Sequence, residues 1–280
     1  MNHFFDETRP GQTITHGDVT FELPILYFRD DFFGLYFTAD ARKVRAIMPS
    51  DRLFPVILPN GRAIVAIFAY NYIETSIGSY GEVPVGIPAV YGKQPSAFTG
   101  IFPALLESRY PGFGVLVQHL PVTRTAARDA GRGEWGYTKF VADMHFDITP
   151  EYMACHMSEG EQPILDLRVQ RKGIYLKDTK PIITFSVRDR QLVRTVIPQI
   201  GTRRISFSTE GSSLRLGGHP VAQSIRDLGI SSKPFMSCYY PERSAILPSG
   251  QVIEKGVKPF EGYAGGSSGD ASHTVAYRDG

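Results

Sequence analysis

One lysine has a setting that is unusual for a charged residue. Lys139 follows the run Trp135–Thr138 and precedes Phe140–Ala142, so most of its neighbours along the chain are aromatic or apolar. An amine attacks a carbonyl only when it is neutral, and burial or a nearby positive charge favours that form. In an apolar pocket Lys139 could form a Schiff base with a ketone. The same pattern also fits a solvated lysine on the outer face of a strand, the commoner position for this residue type.

Two glycine-rich runs match known motifs but lack the context that these motifs require. Residues 131–136 satisfy G-x-G-x-x-G, yet a polar helix precedes them and a strand follows, whereas the dinucleotide motif leads from a strand into a helix. Residues 265–269 satisfy G-x-S-x-G, but they lie in a loose stretch rather than in a strand-to-helix turn. We therefore predict neither nucleotide binding nor a serine nucleophile.

Composition and charge argue against several classes of protein. The 280 residues carry a net charge of +2, and Lys and Arg are scattered rather than grouped into a nucleic-acid-binding surface. The two cysteines and seven histidines show neither a disulfide framework nor metal-ligand spacing. No apolar run approaches the roughly 18 residues of a membrane span, and the first residues do not resemble a signal peptide. We expect a cytoplasmic protein without metal, cofactor, membrane or nucleic-acid partner.

Strands must position the candidate residues, because apolar side chains alternate along much of the chain. Strands are predicted over residues 19–28, 63–72, 114–120, 139–148, 163–169, 182–187 and 204–208. Short helices are predicted over residues 40–48, 123–130 and 219–228, the last with His219 as a capping or packing residue. Many strands without regular βαβ alternation indicate an α+β, β-rich fold, antiparallel and barrel-like. We predict one domain over residues 1–262 and a flexible Gly/Ser-rich tail over 263–280.

Two blocks of residues resemble the acetoacetate decarboxylase family. The run 130–139 is similar to the family signature, a Gly-Arg-Glu stretch that leads to aromatic-Pro-Lys-Lys, whose first lysine forms the Schiff base. The run 78–88 is similar to a segment in which an active-site glutamate follows a Gly-x-Tyr step, and Glu82 falls at that place. Weaker similarity extends over roughly residues 20–255. The resemblance implies the acetoacetate decarboxylase fold, Lys139 as the amine, and a homo-oligomer.

The sequence also departs from the family pattern. Phe140 stands where the family has its second lysine, Thr138 replaces the proline, and the acid of the Gly-Arg-Glu step is displaced by one position. A second active-site acid of the family falls within residues 66–69, which contain no acid. If the neighbouring cation is missing, activation of Lys139 must rest mostly on burial.

The resemblance implies a role for each candidate residue. Lys139 would form the imine, and Glu82 would orient or protonate the reacting carbon. Arg29 or Arg132 would hold a substrate carboxylate, and Tyr137 and Phe140 would contact the substrate. We therefore predict a Schiff-base-forming lyase that decarboxylates a small β-keto acid.

Two other functions fit the same residues. The first is an aldolase-dehydratase that uses the same lysine imine, because the enamine could add to a second carbonyl compound and lose water. The second is a non-catalytic β-barrel that binds a small molecule, with Lys139 as a structural residue.

Overall fold

Strands make up most of the structure, a computed structural model that describes residues 3–6, 8–9, 11–96 and 112–278. In chain order the strands are β1 (Gln12–His16), β2 (Val19–Leu23), β3 (Ile25–Ala39), β4 (Leu53–Pro55), β5 (Ala63–Thr75), β6 (Tyr80–Glu82), β7 (Val85–Tyr91), β8 (Phe113–His119), β9 (Asp143–Ile148), β10 (Tyr152–Glu159), β11 (Gln162–Gln170), β12 (Ile174–Asp178), β13 (Ile182–Arg188), β14 (Gln191–Ile197), β15 (Gln199–Ser206), β16 (Ser213–Leu216), β17 (Met236–Leu247), β18 (Gln251–Lys255) and β19 (His273–Tyr277).

Helices are few and short in the described chain. They are α1 (Ala41–Ala46), α2 (Thr125–Ala130) and α3 (Pro220–Asp227), with a 3-10 turn at His3–Phe5 and a π-helical turn at Gly131–Trp135. The predicted capping role of His219 is confirmed, because its side chain accepts a hydrogen bond from the N–H of Val221 at the start of α3. Over these same residues, no helix combines the length and the apolar character needed to cross a membrane.

The strands form three sheets, and most neighbouring pairs are antiparallel. The large sheet has the order β12-β15-β17-β3-β5-β7-β8-β13-β14-β18, with β4 attached to β7 and β6 to β5. A second sheet has the order β16-β11-β10-β9-β19, and β1 and β2 form a hairpin. The pairs β8–β13 and β9–β19 are parallel. The prediction of a β-rich, mainly antiparallel fold is confirmed, but the large sheet ends at β12 and β18, so "barrel-like" describes it only loosely.

The large sheet is apolar on both faces. Alternate residues of β3 such as Phe33 and Leu35 belong to a core that also contains Phe146 and Leu167 of the second sheet. The residue before Phe33, Phe32, lies in a different, aromatic-rich cluster on the opposite face. Because successive strand residues point to opposite faces, one strand supplies both the core and the wall of the cavities described below.

Two predicted strands differ from those observed. The strand expected over residues 19–28 is divided into β2 and β3 at Pro24, which has no N–H to donate to a ladder. The strand expected over residues 139–148 begins only at Asp143. Before it, Lys139 lies in an irregular segment that is joined to the fold through a bridge between Val122 and Val141.

The tail from residue 263 was expected to be flexible, and here the structure corrects the prediction. Residues 273–277 form β19, which pairs in parallel with β9. The hydroxyl of Tyr277 donates to Asp31 at 2.8 Å, and Asp270 accepts from the N–H of Thr125 at the start of α2. The prediction of a flexible tail followed from the Gly/Ser-rich residues 265–269. The later run 273–277 contains Thr, Val and Tyr, which suit a strand.

Burial of one histidine predicts a pH dependence of stability. His119 is buried at the end of β8, where Nε2 lies 2.8 Å from Oγ of Ser224 in α3. Burial, reinforced by the neighbouring His219, lowers the pKa of His119 to about 4. The unfolded chain, with an ordinary histidine pKa of about 6.5, takes up this proton first. His119 therefore reduces the stability of the folded state as the pH falls through this window.

We expect His119→Gln to lose less stability than the parent protein as the pH is lowered. Between about pH 7 and pH 4.5 the free energy of unfolding of the parent should fall by up to about 3 kcal/mol more than that of the His119→Gln variant. Urea unfolding of both proteins at the two pH values measures this difference, and titrations common to both cancel. An equal decrease in the two proteins would contradict the assignment.

Candidate active site

Lys139 and Glu82 form a buried pair. The Nζ atom of Lys139 donates to Oε2 of Glu82 at 2.7 Å, and the two residues are 5% and 7% exposed. The hydroxyl of Tyr72 donates to the other carboxylate oxygen at 3.2 Å. The rings of Tyr80 and Tyr137 lie 5.8 and 6.0 Å from Nζ. A buried pair needs such further contacts, because its mutual attraction alone rarely repays the loss of water.

A short segment, residues 121–123, holds the two halves of the pair in register. On one side, Val83 N–H donates to the carbonyl of Pro121 at 3.0 Å, and the N–H of Thr123 donates to the carbonyl of Gly81 at 3.1 Å. On the other side, the N–H of Val122 donates to the carbonyl of Phe140 at 2.8 Å. Glu82 and Lys139 thus each lie beside residues that this segment fixes.

The π-helical turn leaves space for the stem of Lys139. A Cβ atom on Gly131 would lie 2.5 Å from Cδ and 2.6 Å from Cε of Lys139. Gly136 has a φ of +68°, and a Cβ there would lie 2.4 Å from the carbonyl oxygen of Val187. Two glycines of the G-x-G-x-x-G match therefore allow close packing, Gly131 against the lysine and Gly136 against the backbone of β13. Irregular helical turns of this kind are frequent at functional sites.

The pair faces a cavity of about 80 Å³. This volume is several times the roughly 10–15 Å³ that one water needs. Its charged lining residues are Lys139, Glu82 and Arg243, its aromatic ones are Tyr27, Tyr70, Tyr72 and Tyr137, and the others are mainly aliphatic. The described residues contain no group of three or more His, Cys, Asp or Glu that could hold a metal ion. The cavity therefore offers one amine, one carboxylate and one guanidinium among hydroxyls and apolar walls.

Arg243 is a cationic lining residue that the sequence did not reveal. Its Nε and Nη2 atoms donate to the carboxylate of Asp30 at 2.9 and 2.8 Å, and Nη1 donates to Oε1 of Gln199 at 3.0 Å. Burial opposes the charged form, but Asp30 outweighs it and keeps the pKa of Arg243 above its usual range. Three of the five N–H groups of the guanidinium are thus in use. The other two N–H groups are not used in these three hydrogen bonds.

The tyrosines around Glu82 are neutral donors. Burial, with the charge of Glu82 acting in the same direction, raises the pKa of Tyr72 and Tyr80 well above the ordinary value. Burial likewise raises the pKa of Tyr137 to about 12. The hydroxyls of Tyr27 and Tyr80 lie 2.9 Å apart and share a hydrogen bond. The site therefore contains hydroxyl groups that donate to anions, not phenolates that act as bases.

Three of the sequence-predicted residues line the cavity, namely Lys139, Glu82 and Tyr137. Arg132 has a different role: its side chain is largely exposed, and Nε donates to the backbone carbonyl of Lys139 at 2.6 Å. It supports the lysine segment rather than lining the cavity.

The structure does not bring Arg29 and Phe140 to the cavity. Arg29 is exposed on β3, opposite Glu74 of β5. Phe140 points to the other side of its extended segment from Lys139. Its ring packs against His219 and Tyr263, with centroids 6.2 and 5.0 Å apart. The sequence position at which the family has its second lysine therefore lies in the hydrophobic core of this protein.

We expect strong coupling between Lys139 and Glu82 in folding stability. Glu82→Gln leaves a buried ammonium without its counter-charge, and Lys139→Met leaves a buried carboxylate. Each single change should lower the free energy of unfolding by about 3–5 kcal/mol. The double variant should lose clearly less than the sum of the two single changes, as measured by urea unfolding near neutral pH. Additive losses would show that the two groups do not interact.

Comparison with known proteins agrees with this architecture. Residues 15–256 match the family described as acetoacetate decarboxylase. The acetoacetate decarboxylase of Legionella pneumophila superposes with a TM-score of 0.62 at 17% identity, over 90% of this chain and 94% of that one. The enduracididine biosynthesis enzyme MppR complexed with pyruvate superposes with a TM-score of 0.55 at 9% identity, over 83% and 91% of the two chains.

An acetoacetate decarboxylase-like enzyme from Sphingomonas wittichii RW1 has a TM-score of 0.54 at 11% identity, over 83% of this chain and 94% of that one. A comparison with curated proteins finds no match. At these identities the superpositions establish the shared fold, whereas the match over residues 15–256 establishes the family. This chain belongs to the acetoacetate decarboxylase family.

Proposed function

We propose that this protein is a lyase in which Lys139 forms a Schiff base with a small keto acid. The observation that carries the proposal is the amine of Lys139, buried in a cavity wall 2.7 Å from the carboxylate of Glu82. Lysines are almost never buried unless they are paired, and such pairs in clefts are candidates for function. The fold is shared with acetoacetate decarboxylases and with MppR, which has been solved with pyruvate.

The Lys139–Glu82 contact provides a route to a neutral amine. A proton moves from Nζ to Oε2 of Glu82, and the freed lone pair attacks the ketone carbon. The carbinolamine takes the proton back on oxygen and loses water, which leaves a protonated imine. The Tyr72 hydroxyl holds Oε1 of Glu82 throughout, so Oε2 remains directed at Nζ. General acid–base steps of this kind need donor and acceptor within about 3 Å.

The protonated imine then acts as an electron sink. In a β-keto acid, the bond between the carboxylate and the α-carbon breaks, its electron pair moves to the imine nitrogen, and carbon dioxide leaves. Glu82, a carboxylate again after the loss of water, takes up a proton from solvent and donates it to the enamine carbon. Water then hydrolyses the imine, which releases the ketone and regenerates Lys139. The two spare N–H groups of Arg243 orient the carboxylate before it leaves.

An aldolase-dehydratase reaction is the second candidate, and one observation favours it. A further cavity adjoins the first and shares five lining residues with it, so a second carbonyl compound has space beside Lys139. The imine would lose a proton from its methyl carbon to the carboxylate of Glu82, and the resulting enamine would add to that carbonyl. The new alkoxide would take up this proton, and the adduct would then lose water. MppR has been solved with the condensation product of pyruvate and imidazole 4-carboxaldehyde. Release of carbon dioxide from acetoacetate would support decarboxylation, and condensation of pyruvate with an aldehyde would support this alternative.

Borohydride trapping distinguishes both reactions from a non-catalytic binding protein. We expect the parent protein to gain the mass of one reduced adduct when it is incubated with acetoacetate or pyruvate and borohydride. Lys139→Ala should gain none, because the reacting amine is gone. Lys43→Ala removes an exposed lysine of α1 and should behave as the parent. If the folded parent formed no adduct with either keto acid, the proposal would be contradicted. The non-catalytic binding protein would then be the function that remains.

We expect Gly131→Ala to slow adduct formation by at least about tenfold, because a displacement of about 1 Å in a reacting group is costly. The new methyl group meets Cδ and Cε of Lys139, which are flexible, so the melting temperature should change little. Gly269→Ala is the control, since a Cβ there meets nothing within 4 Å. The rate of trapping and the melting temperature are measured together. An unchanged rate would show that the position of the Lys139 stem is not critical.

A further inference from the structure

A second cavity of about 120 Å³ lies beside the one that contains Lys139. The two share five lining residues: Tyr70, Pro84, Val117, Ile182 and Thr184. Along β5, Tyr72 lines the first cavity, Tyr70 lines both, and Phe68 and Ala66 line the second. Alternate residues of one strand face therefore lead from one cavity into the other, in steps of about 7 Å.

The second cavity has aromatic walls. Its ring-bearing lining residues are Phe32, Tyr36, Phe68, Tyr70, Phe113 and Tyr240. The rings of Phe32 and Tyr70 are stacked, with centroids 4.3 Å apart, and the ring of Phe68 lies 4.9 Å from that of Phe32. Faces and edges arranged in this way suit another ring, because aromatic pairs prefer offset or edge contacts at such distances.

The charges at the second cavity are already compensated. Among the described lining residues the charged ones are Asp178 and Arg203, whose side chains form an ion pair at 3.3 Å. The hydroxyl of Tyr240 also donates to Asp178, at 2.7 Å. The amide oxygen of Gln199 accepts from Arg243 of the first cavity. A charged substituent would therefore meet no unpaired counter-charge here. The Nε atom of Arg203 is buried without a hydrogen-bond partner among the described residues, so an uncharged substituent that carries an acceptor would also find a donor.

We infer that the substrate is a keto acid with an uncharged aromatic substituent, and that the second cavity binds this substituent. The inference rests on the proposed function, in which the ketone carbon lies at Lys139. A substituent that extends from there along β5 first meets Tyr70, which lines both cavities, and then the other rings of the second cavity. Sites that bind small molecules typically have mostly apolar walls and a few polar groups that orient the ligand.

The experiment compares two β-keto acids, acetoacetate and 3-oxo-5-phenylpentanoate, by borohydride trapping at increasing concentration. In the parent protein, half-maximal trapping should need about tenfold less of the phenyl compound, because its ring is transferred from water to the cavity. Equal half-maximal concentrations of the two compounds would overturn the inference.

A variant that fills the second cavity localises the effect. Ala66→Leu adds three carbon atoms to its wall, and it should raise the half-maximal concentration of the phenyl compound at least about tenfold. Trapping of acetoacetate by the same variant should be unchanged, which also shows that it folds. Ala46→Leu, on the exposed side of α1, is the matched control.

The outcomes separate the inference from the proposed function. An equal effect of Ala66→Leu on both compounds would overturn the inference and leave the Schiff base intact. Failure of the parent to form an adduct with either compound would overturn the proposed function, and the inference with it.

Discussion

Removal of two opposite charges from water is the constraint on which this site depends. Each buried ion costs several kcal/mol of solvation, and only good geometry with further hydrogen bonds offsets the cost. For Lys139 and Glu82 the surroundings meet this need with a 2.7 Å contact, a tyrosine hydroxyl and nearby aromatic rings. Two further features serve the same constraint. The hydrogen bonds of residues 121–123 and the absence of a side chain at Gly131 both fix the position at which the two charges meet.

A second buried pair completes the charge balance of the cavity. Asp30 and Arg243 come from β3 and β17, which are neighbours in the large sheet, and the pair places a charged guanidinium in the cavity that Lys139 also lines. Two cations and the carboxylate of Glu82 thus line the cavity, and Asp30 pairs with Arg243 outside this lining. The proposed keto acid would bring one further negative charge, to which the remaining N–H groups of Arg243 could donate. The adjoining aromatic cavity adds apolar surface and no uncompensated charge.

Much of the strand pattern could be predicted from the sequence, but several features of the site could not. Alternating or continuous apolar runs locate β5, β8, β11 and β13, because strands with one or two buried faces need apolar residues there. Resemblance to a family singled out Lys139 and Glu82. Arg243 gave no local signal, since its partner lies 213 residues earlier in the chain. The direction of Phe140 and the docking of β19 depend on tertiary contacts that single-sequence patterns do not contain.

The proposed function requires that the amine of Lys139, and no other, becomes covalently bound to the substrate. Tandem mass spectrometry of peptides from the protein reduced with borohydride in the presence of pyruvate tests it directly. We expect the added mass on Lys139 itself, with the other lysines unmodified at low keto acid concentration. Modification at a different lysine, or spread evenly over exposed ones, would contradict it.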